Sequence, residues 1–390
     1  MRPIIALTAG DVAGIGPEIL VRALQSDVVH QRCRPLLLCH PEVLQRAAEL
    51  AGCAGIEFIF LEDLPPNRAE LTACLDRLPT PAGKFILCFN PAGNAAASAP
   101  PRAVSGAAGE AAFQYLTTAI RLALARTVDA IATAPLNKAA LHAAGHPYPG
   151  HTEILAAQCQ VTEFGMMLYL PESRLAPLRA LVGTLAGSPG KMPGGRSDSA
   201  IALAESSDDP PHDPPESPDG LSVVHVTLHT SVQSVPDLLT TKAVVEKIQL
   251  MHDFLEKIGC HRNAIGVCAL NPHGGEEGLF GDEEKRIIEP AVELGQRAGV
   301  RVTGPLPVDS LIRRAVAGEF DGVVAMYHDQ GHIPVKLIGF DAAVNITLGL
   351  PIVRTSPTHG TAFDRAWNPD TPADPSGMIE AILTAARLCQ

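Results

Sequence analysis

The chain has 390 residues, 46% of them hydrophobic and 18% charged, so it can bury a sizeable core and is not uniformly disordered. Asp and Glu number 42 against 30 Lys and Arg, a formal net charge of −12 with 4% aromatics. That balance argues against the broad basic face of a nucleic-acid binder while leaving room for a local cationic site for a small anion.

Residues 4–8 read as a buried first strand. The apolar run at 4–7 is too short for a signal-peptide core, and nowhere does an apolar run approach the ~18–20 residues of a membrane span. A Gly/Pro-rich turn follows, and Pro17-Glu18 opens a helix with proline early and an acid in the first turn. Residues 35–39 form a second apolar run; 106–126 has helical spacing through Ala112, Leu116, Ile120 and Leu124; and 129–134 reads as a strand stopped by Pro135. The segment 188–220 holds seven prolines and seven acidic residues against two basic ones, the composition of a disordered, solvated insertion. Beyond it come strands at 223–228, 264–270 and 321–326 and helices at 240–258, 283–298 and 376–388. Strands alternating with helices predict a mostly parallel α/β sheet, in two domains at this length. Nine scattered cysteines without a Cys-x-x-Cys pair fit a reducing cytoplasm rather than a disulfide framework or a Cys-type zinc site.

Three of the 14 histidines each follow a predicted strand: His229, His273 and His328. Crevices outside the carboxyl ends of strands are where open α/β sheets bind ligands. Three imidazoles delivered there could hold a catalytic divalent metal with open positions. His225 shares a strand face with His229 and is a rival ligand on these grounds. Gly150-His151-Thr152-Glu153 opens a helix whose unpaired N–H groups favour an anion, though Thr152 also suits a plain N-cap. Lys336 and Arg354 lie in apolar surroundings, where a cation calls for an anionic partner, either a substrate phosphate or an internal carboxylate. No Gly-x-Gly-x-x-Gly follows the first strand, so an ordinary Rossmann domain is a weak reading; the Gly10–Glu18 loop has glycines at other spacing.

Together GDVAGIGPEI (10–19), ATAPLNKAAL (132–141), GHTEIL (150–155), LNPHGGEEGLFGDEE (270–284), GPLPVDSL (304–311) and MYHDQGHIPVKLIGFDAAVNITLGLPIVRTSPTHGTAFD (326–364) resemble the 4-hydroxythreonine-4-phosphate dehydrogenases of pyridoxal phosphate biosynthesis and their phospho-threonate and phospho-erythronate paralogues. The likeness spans nearly the whole chain outside 188–220. It implies a two-domain α/β/α fold like that of the isocitrate and isopropylmalate dehydrogenases: 1–140 with 331–390 as a large domain carrying the nucleotide-binding loop, and 141–330 as a second domain with the dimer interface and metal ligands. The resemblance assigns His229, His273 and His328 to a divalent metal (zinc, magnesium or cobalt), which decides between His229 and His225. It assigns His151, Thr152, Lys336, Asn345 and Arg354 to the substrate, and His359, Gly360, Thr361 and Ala362 to NAD or NADP. Asp309 matches an acidic residue near the metal and is the expected base; Lys138 is the expected proton donor. The family's homodimer shares its metal site between subunits. The implied reaction is oxidation of the 3-hydroxyl of a 4-phosphorylated hydroxy acid to a β-keto acid that decarboxylates. His332 and HVTLHTSV (225–232) are departures, the first resembling the threonate and erythronate paralogues, the second a cyclic dihydrodiol dehydrogenase. Rival readings are that cyclic diol activity, a metal-dependent lyase or aldolase without nicotinamide, and a phosphate-binding module without catalysis.

Overall fold

The apolar runs become strands of one sheet. The structure is a computed structural model that describes residues 2–53, 55–81, 83–186 and 220–390. The expected insertion lies outside the described residues except for Gly220. Twelve strands are described: β1 (Ile4–Thr8), β2 (Arg34–Leu38), β3 (Glu57–Phe60), β4 (Phe85–Phe89), β5 (Ala130–Thr133), β6 (Gly165–Leu170), β7 (Leu221–His225), β8 (Ile265–Cys268), β9 (Val302–Leu306), β10 (Gly322–Ala325), β11 (Val344–Leu348) and β12 (Val353–Pro357). Their spatial order is β3-β4-β2-β1-β5-β12-β11-β6-β7-β10-β8-β9.

The expectation of a mostly parallel sheet needs one amendment. Strands β3 to β12 in that order form one parallel block, and β7, β10, β8 and β9 form another. Between them β11 runs antiparallel to β12 and β6, and β6 runs antiparallel to β7. The two blocks therefore point in opposite directions. The inner parallel strands are covered on both faces, which is why IIALT of β1 and GVVA of β10 are continuous buried runs rather than alternating ones.

One core cluster gathers β1, β2, β4 and β5 with the helices Gly16–Ala23, Pro41–Leu50 and Gly106–Leu124 and the terminal helix Ser376–Arg387. The second block has a cluster on each face. In the middle of the sheet, strand alternation divides the work. Met167, Tyr169, Val344 and Ile346 face a cluster with Val244, Ile248 and Met251 of the helix Thr241–Lys257 and Ala381 of the terminal helix. Their neighbours Met166, Leu168, Asn345, Arg354 and Ser356 turn to the other side.

Strand β7 stops at His225, earlier than the 223–228 run suggested. Its partner β10 ends at Ala325, and just beyond His225 the chain is held by bonds from Val226 N–H to the Ala325 carbonyl and from Thr227 N–H and Oγ1 to the Met326 carbonyl. His229 consequently stands on a loop rather than directly at a strand end. No helix among the described residues is long and apolar enough to cross a membrane.

Candidate active site

The exposed pleat of the central strands is the floor of a cleft of about 380 Å³. Met166, Leu168, Asn345, Arg354 and Ser356 form that floor. Pro135, Leu136 and Lys138 enter from the end of β5, and Pro149 to Glu153 from the start of the helix His151–Cys159. His229 comes from the loop after β7, and Ser356 to Gly360 from the end of β12. The last wall is the helix His328–Gly339, whose His328, His332 and Lys336 follow one another at four-residue spacing and so share one face. Gln330 fixes the start of this helix, accepting from Met326 N–H at 2.7 Å and donating to the Ala269 carbonyl at 2.7 Å.

Arg354 is the dominant charge. It is 2% exposed and donates to Thr133 Oγ1 at 2.8 Å and Thr347 Oγ1 at 3.3 Å, while its Nε is buried without a partner. No carboxylate forms an ion pair with Arg354 or Lys336 among the described residues. Of the two partners that sequence left open, the internal carboxylate is thus not found. Burial pushes the Arg354 guanidinium down to about 9, which still leaves it charged at neutral pH, and the nearby Glu153 carboxylate works the other way. The lining carries three cationic side chains, Lys138, Lys336 and Arg354, against one carboxylate, Glu153. The amide oxygen of Asn345 is buried and unpartnered beside them. Buried polar atoms without partners are rare enough to mark a place where a ligand completes the bonding.

Burial disfavours the charged form of three imidazoles of the cleft. Burial, reinforced by the Arg354 charge, keeps His151 well below its ordinary pKa. Burial lowers His229, with Lys138 and His328 adding to it. Burial brings His332 to about 4, helped by His328 and Lys336. His328 Nδ1 is bonded to Asp329 Oδ1 at 2.7 Å, which orients the ring and leaves Nε2 free.

The expected metal ligands come together only in part. The His229 and His328 rings face each other with centroids 6.0 Å apart. His273 lines a separate hollow with Glu276, Glu277, Lys285 and Glu289. Among the described residues of the single chain, no group of three or more His, Cys, Asp or Glu side chains could hold an ion. Asp309 also lies away from the cleft: it is exposed at the start of the helix Val308–Val316, its Oδ1 accepting from Ser310 N–H at 2.9 Å. His273 and Asp309 leave from β8 and β9, which pair at the outer edge of the sheet. His225 does not line the cleft; it is buried beneath it.

His359 and Gly360 reach the cleft, whereas Thr361 and Ala362 lie behind it. The Thr361 carbonyl accepts from Ile15 N–H at 3.0 Å, and a Cβ on Gly14 would meet Thr361 Cβ at 2.8 Å. The two glycine-bearing motifs of the chain thus pack on each other. His359 Nδ1 bonds the Gly360 carbonyl at 3.2 Å, and its Nε2 is buried without a partner.

Sequence reasoning did not assign His332 or Glu153 to the lining. His332 falls on the same face as His328 once 328–339 is helical, but Pro334 inside that stretch argues against a helix and hides the spacing.

Comparison with known proteins agrees with this picture. The family profile described as "Pyridoxal phosphate biosynthetic protein PdxA" matches residues 31–184 and 212–385. The D-threonate 4-phosphate dehydrogenase of Cupriavidus necator is 38% identical over 389 residues, 99% of this chain and 97% of that protein. The 4-hydroxythreonine-4-phosphate dehydrogenase of Desulfosudis oleivorans is 38% identical over 369 residues, 94% of this chain and 90% of its own length. The crystal structure of the 4-hydroxythreonine-4-phosphate dehydrogenase from Klebsiella pneumoniae superposes with a TM-score of 0.77 at 36% identity, covering all of both chains.

Proposed function

Because this chain belongs to the family of pyridoxal phosphate biosynthetic protein PdxA, we propose that it is an NAD(P)- and metal-dependent dehydrogenase that oxidises the 3-hydroxyl of a 4-phosphorylated hydroxy acid to a β-keto acid, which then decarboxylates. The observation that carries this reading is Arg354, a fully buried guanidinium with no carboxylate partner among the described residues, opening onto a cleft with two further cations. A phosphate supplies the missing anion, and breaking such a buried charge pair is costly. Arg354, Lys336, Asn345, His151 and Thr152 hold the phosphate and polar groups, which fixes C3 in place. Removal of the hydroxyl proton and of hydride from C3 leaves the β-keto acid. Its carboxylate departs as CO₂, and Lys138, at the cleft mouth, is positioned to return a proton to the resulting enolate.

The segment His359, Gly360, Thr361 and Ala362 would hold a nicotinamide coenzyme, which would supply the hydride acceptor, with His359 Nε2 in want of a partner. His229 and His328 offer two imidazole nitrogens, the donor type that zinc or cobalt sites use. A third donor has to come from a second copy. His273 is the candidate, with Asp309 on the same sheet edge as the base. Such an ion supplies Lewis-acid polarisation of a substrate hydroxyl. The helix that carries His328, His332 and Lys336 on one face also exposes Ile333 and Leu337, with Phe340 exposed just after it, and the His273 loop exposes Leu279 and Phe280. Apolar surface on both segments fits a homodimer that shares its sites.

With three lining cations against one carboxylate, an ammonium group on the substrate is disfavoured. That supports 4-phosphothreonate or 4-phosphoerythronate over 4-hydroxythreonine 4-phosphate. The cyclic dihydrodiol carboxylates lack a phosphate and would offer Arg354 only a carboxylate in its place. A panel of these compounds, assayed for nicotinamide reduction with added divalent metal, tests the proposal. Reduction by the phosphorylated hydroxy acids is expected. Reduction by the cyclic diol alone, or retro-aldol cleavage without nicotinamide, contradicts it.

A further inference from the structure

His332 lies one turn beyond His328, and the two rings stack with centroids 3.7 Å apart and planes within 9°. Its Nδ1 is 3.2 Å from the His328 carbonyl oxygen and 3.1 Å from His225 Nε2. A carbonyl oxygen only accepts. The hydrogen of the uncharged ring therefore belongs on Nδ1, donated to the His328 carbonyl and shared with His225 Nε2. Nε2 is left as a bare lone pair, and no protein donor bonds it among the described residues. The arrangement is held from below: His225 is buried at the end of β7, and a Cβ on residue 331 would come within 2.4 Å of His225 Nε2, so Gly331 makes room for the pair. Two elements thus fix one acceptor at the edge of the cleft.

Lys138, Lys336 and Arg354 in the lining are donors only, whereas Glu153, the Asn345 amide oxygen and the imidazole nitrogens can accept; His332 Nε2 is an acceptor whose lone pair the contacts of its own Nδ1 fix in place. Phosphate and carboxylate satisfy donors. A hydroxyl proton needs an acceptor. We propose that His332 Nε2 accepts a hydrogen bond from the substrate hydroxyl next to the carbon that is oxidised, so that His332 selects vicinal diols over their deoxy counterparts. This rests on the reading of the cleft as a site for phosphorylated hydroxy acids. In 4-phosphothreonate the group concerned is the C2 hydroxyl. A site built around a substrate hydroxyl rejects the analogue that lacks it far more strongly than an apolar pocket does.

The test compares kcat/KM for 4-phosphothreonate and for its 2-deoxy analogue, 3-hydroxy-4-phosphobutanoate, in the metal-supplemented wild-type protein, His332→Asn and His332→Gln. The Asn amide reaches only the position of Nδ1; the Gln amide reaches that of Nε2. With 4-phosphothreonate, His332→Asn is expected to lose about 10- to 100-fold and His332→Gln to recover much of it. With the deoxy analogue, the wild type falls by a similar factor and His332→Asn brings no further loss. Equal wild-type kcat/KM for the two compounds overturns the inference, as does an equal loss on both in His332→Asn, which is the signature of general packing damage. Wild-type turnover of neither compound overturns the reading of the cleft, and the inference with it.

Discussion

Arg354 shows how much a single side chain can say. Its position between Val353 and Thr355 in a strand-like run marks it from sequence as an anomaly, and the fold turns the anomaly into a buried, unpaired cation. Which anion answers it was not legible, because that depends on where the fold places the carboxylates, none of which pairs with Arg354 among the described residues. Arg354→Ala should raise KM for a phosphorylated substrate by about 100-fold or more, with a smaller change in kcat, since a charge-assisted contact made in the ground state is lost. Steady-state kinetics with a phosphorylated and an unphosphorylated substrate checks this; an equal effect on both contradicts the phosphate role.

The buried histidines make a second prediction. His151 lies well below its ordinary pKa, His225 is lowered to about 3 and His332 to about 4, burial being the largest cause in each. The unfolded chain takes up protons on these residues from about pH 6.5 downward, while the folded chain does not. Stability contributed by the three is therefore complete above that pH and lost as pH falls below it. Asp11, raised to about 6 by burial, acts in the opposite sense, because the folded chain binds its proton first. His229 and His359 are lowered too, and Glu18 and Glu380 raised, so five histidines against three carboxylates should leave a net fall, seen as a lower urea midpoint at about pH 5 than at about pH 7.5 in metal-free protein.

At the level of elements, strong strands and long amphipathic helices were legible from periodicity, as in 106–126 against the observed Gly106–Leu124. The strands β6, β11 and β12 that floor the cleft were not. They lie where two parallel blocks meet, and their polar inward residues, Asn345, Arg354 and Ser356, break the apolar pattern because they face a ligand rather than a core. The loop of His273 was legible as a motif but not as a shape. Residues 273 to 277 all have positive φ, three of them without the freedom of glycine. The buried Glu284 carboxylate fastens this turn, accepting from Leu270 N–H and Asn271 N–H at 2.8 Å each and from Asn271 Nδ2 at 3.0 Å. Glu284→Ala should cost about 2 kcal/mol and loosen the turn. Hydrogen exchange should then rise at 270–281 while β1 and β5 keep their protection; unchanged exchange there would show that the turn holds itself.

On the scale of the whole molecule, the family resemblance anticipated an architecture that composition alone could not, while His273 stands apart from His229 and His328 in the single chain. The proposed second copy makes this testable. Leu337, 82% exposed on the helix His328–Gly339, is the natural place to disturb the contact. Leu337→Glu should give a monomer by sedimentation with little activity, since a buried charge at an apolar interface is strongly disfavoured; a dimer with full activity would place the interface elsewhere. The central claim, that the cationic cleft serves a phosphorylated hydroxy acid, is tested most directly by following nicotinamide reduction with 4-phosphothreonate and with threonate side by side. The account predicts turnover of the phosphorylated compound with threonate nearly inert. Equal rates on the two, or no reduction with either, would contradict it.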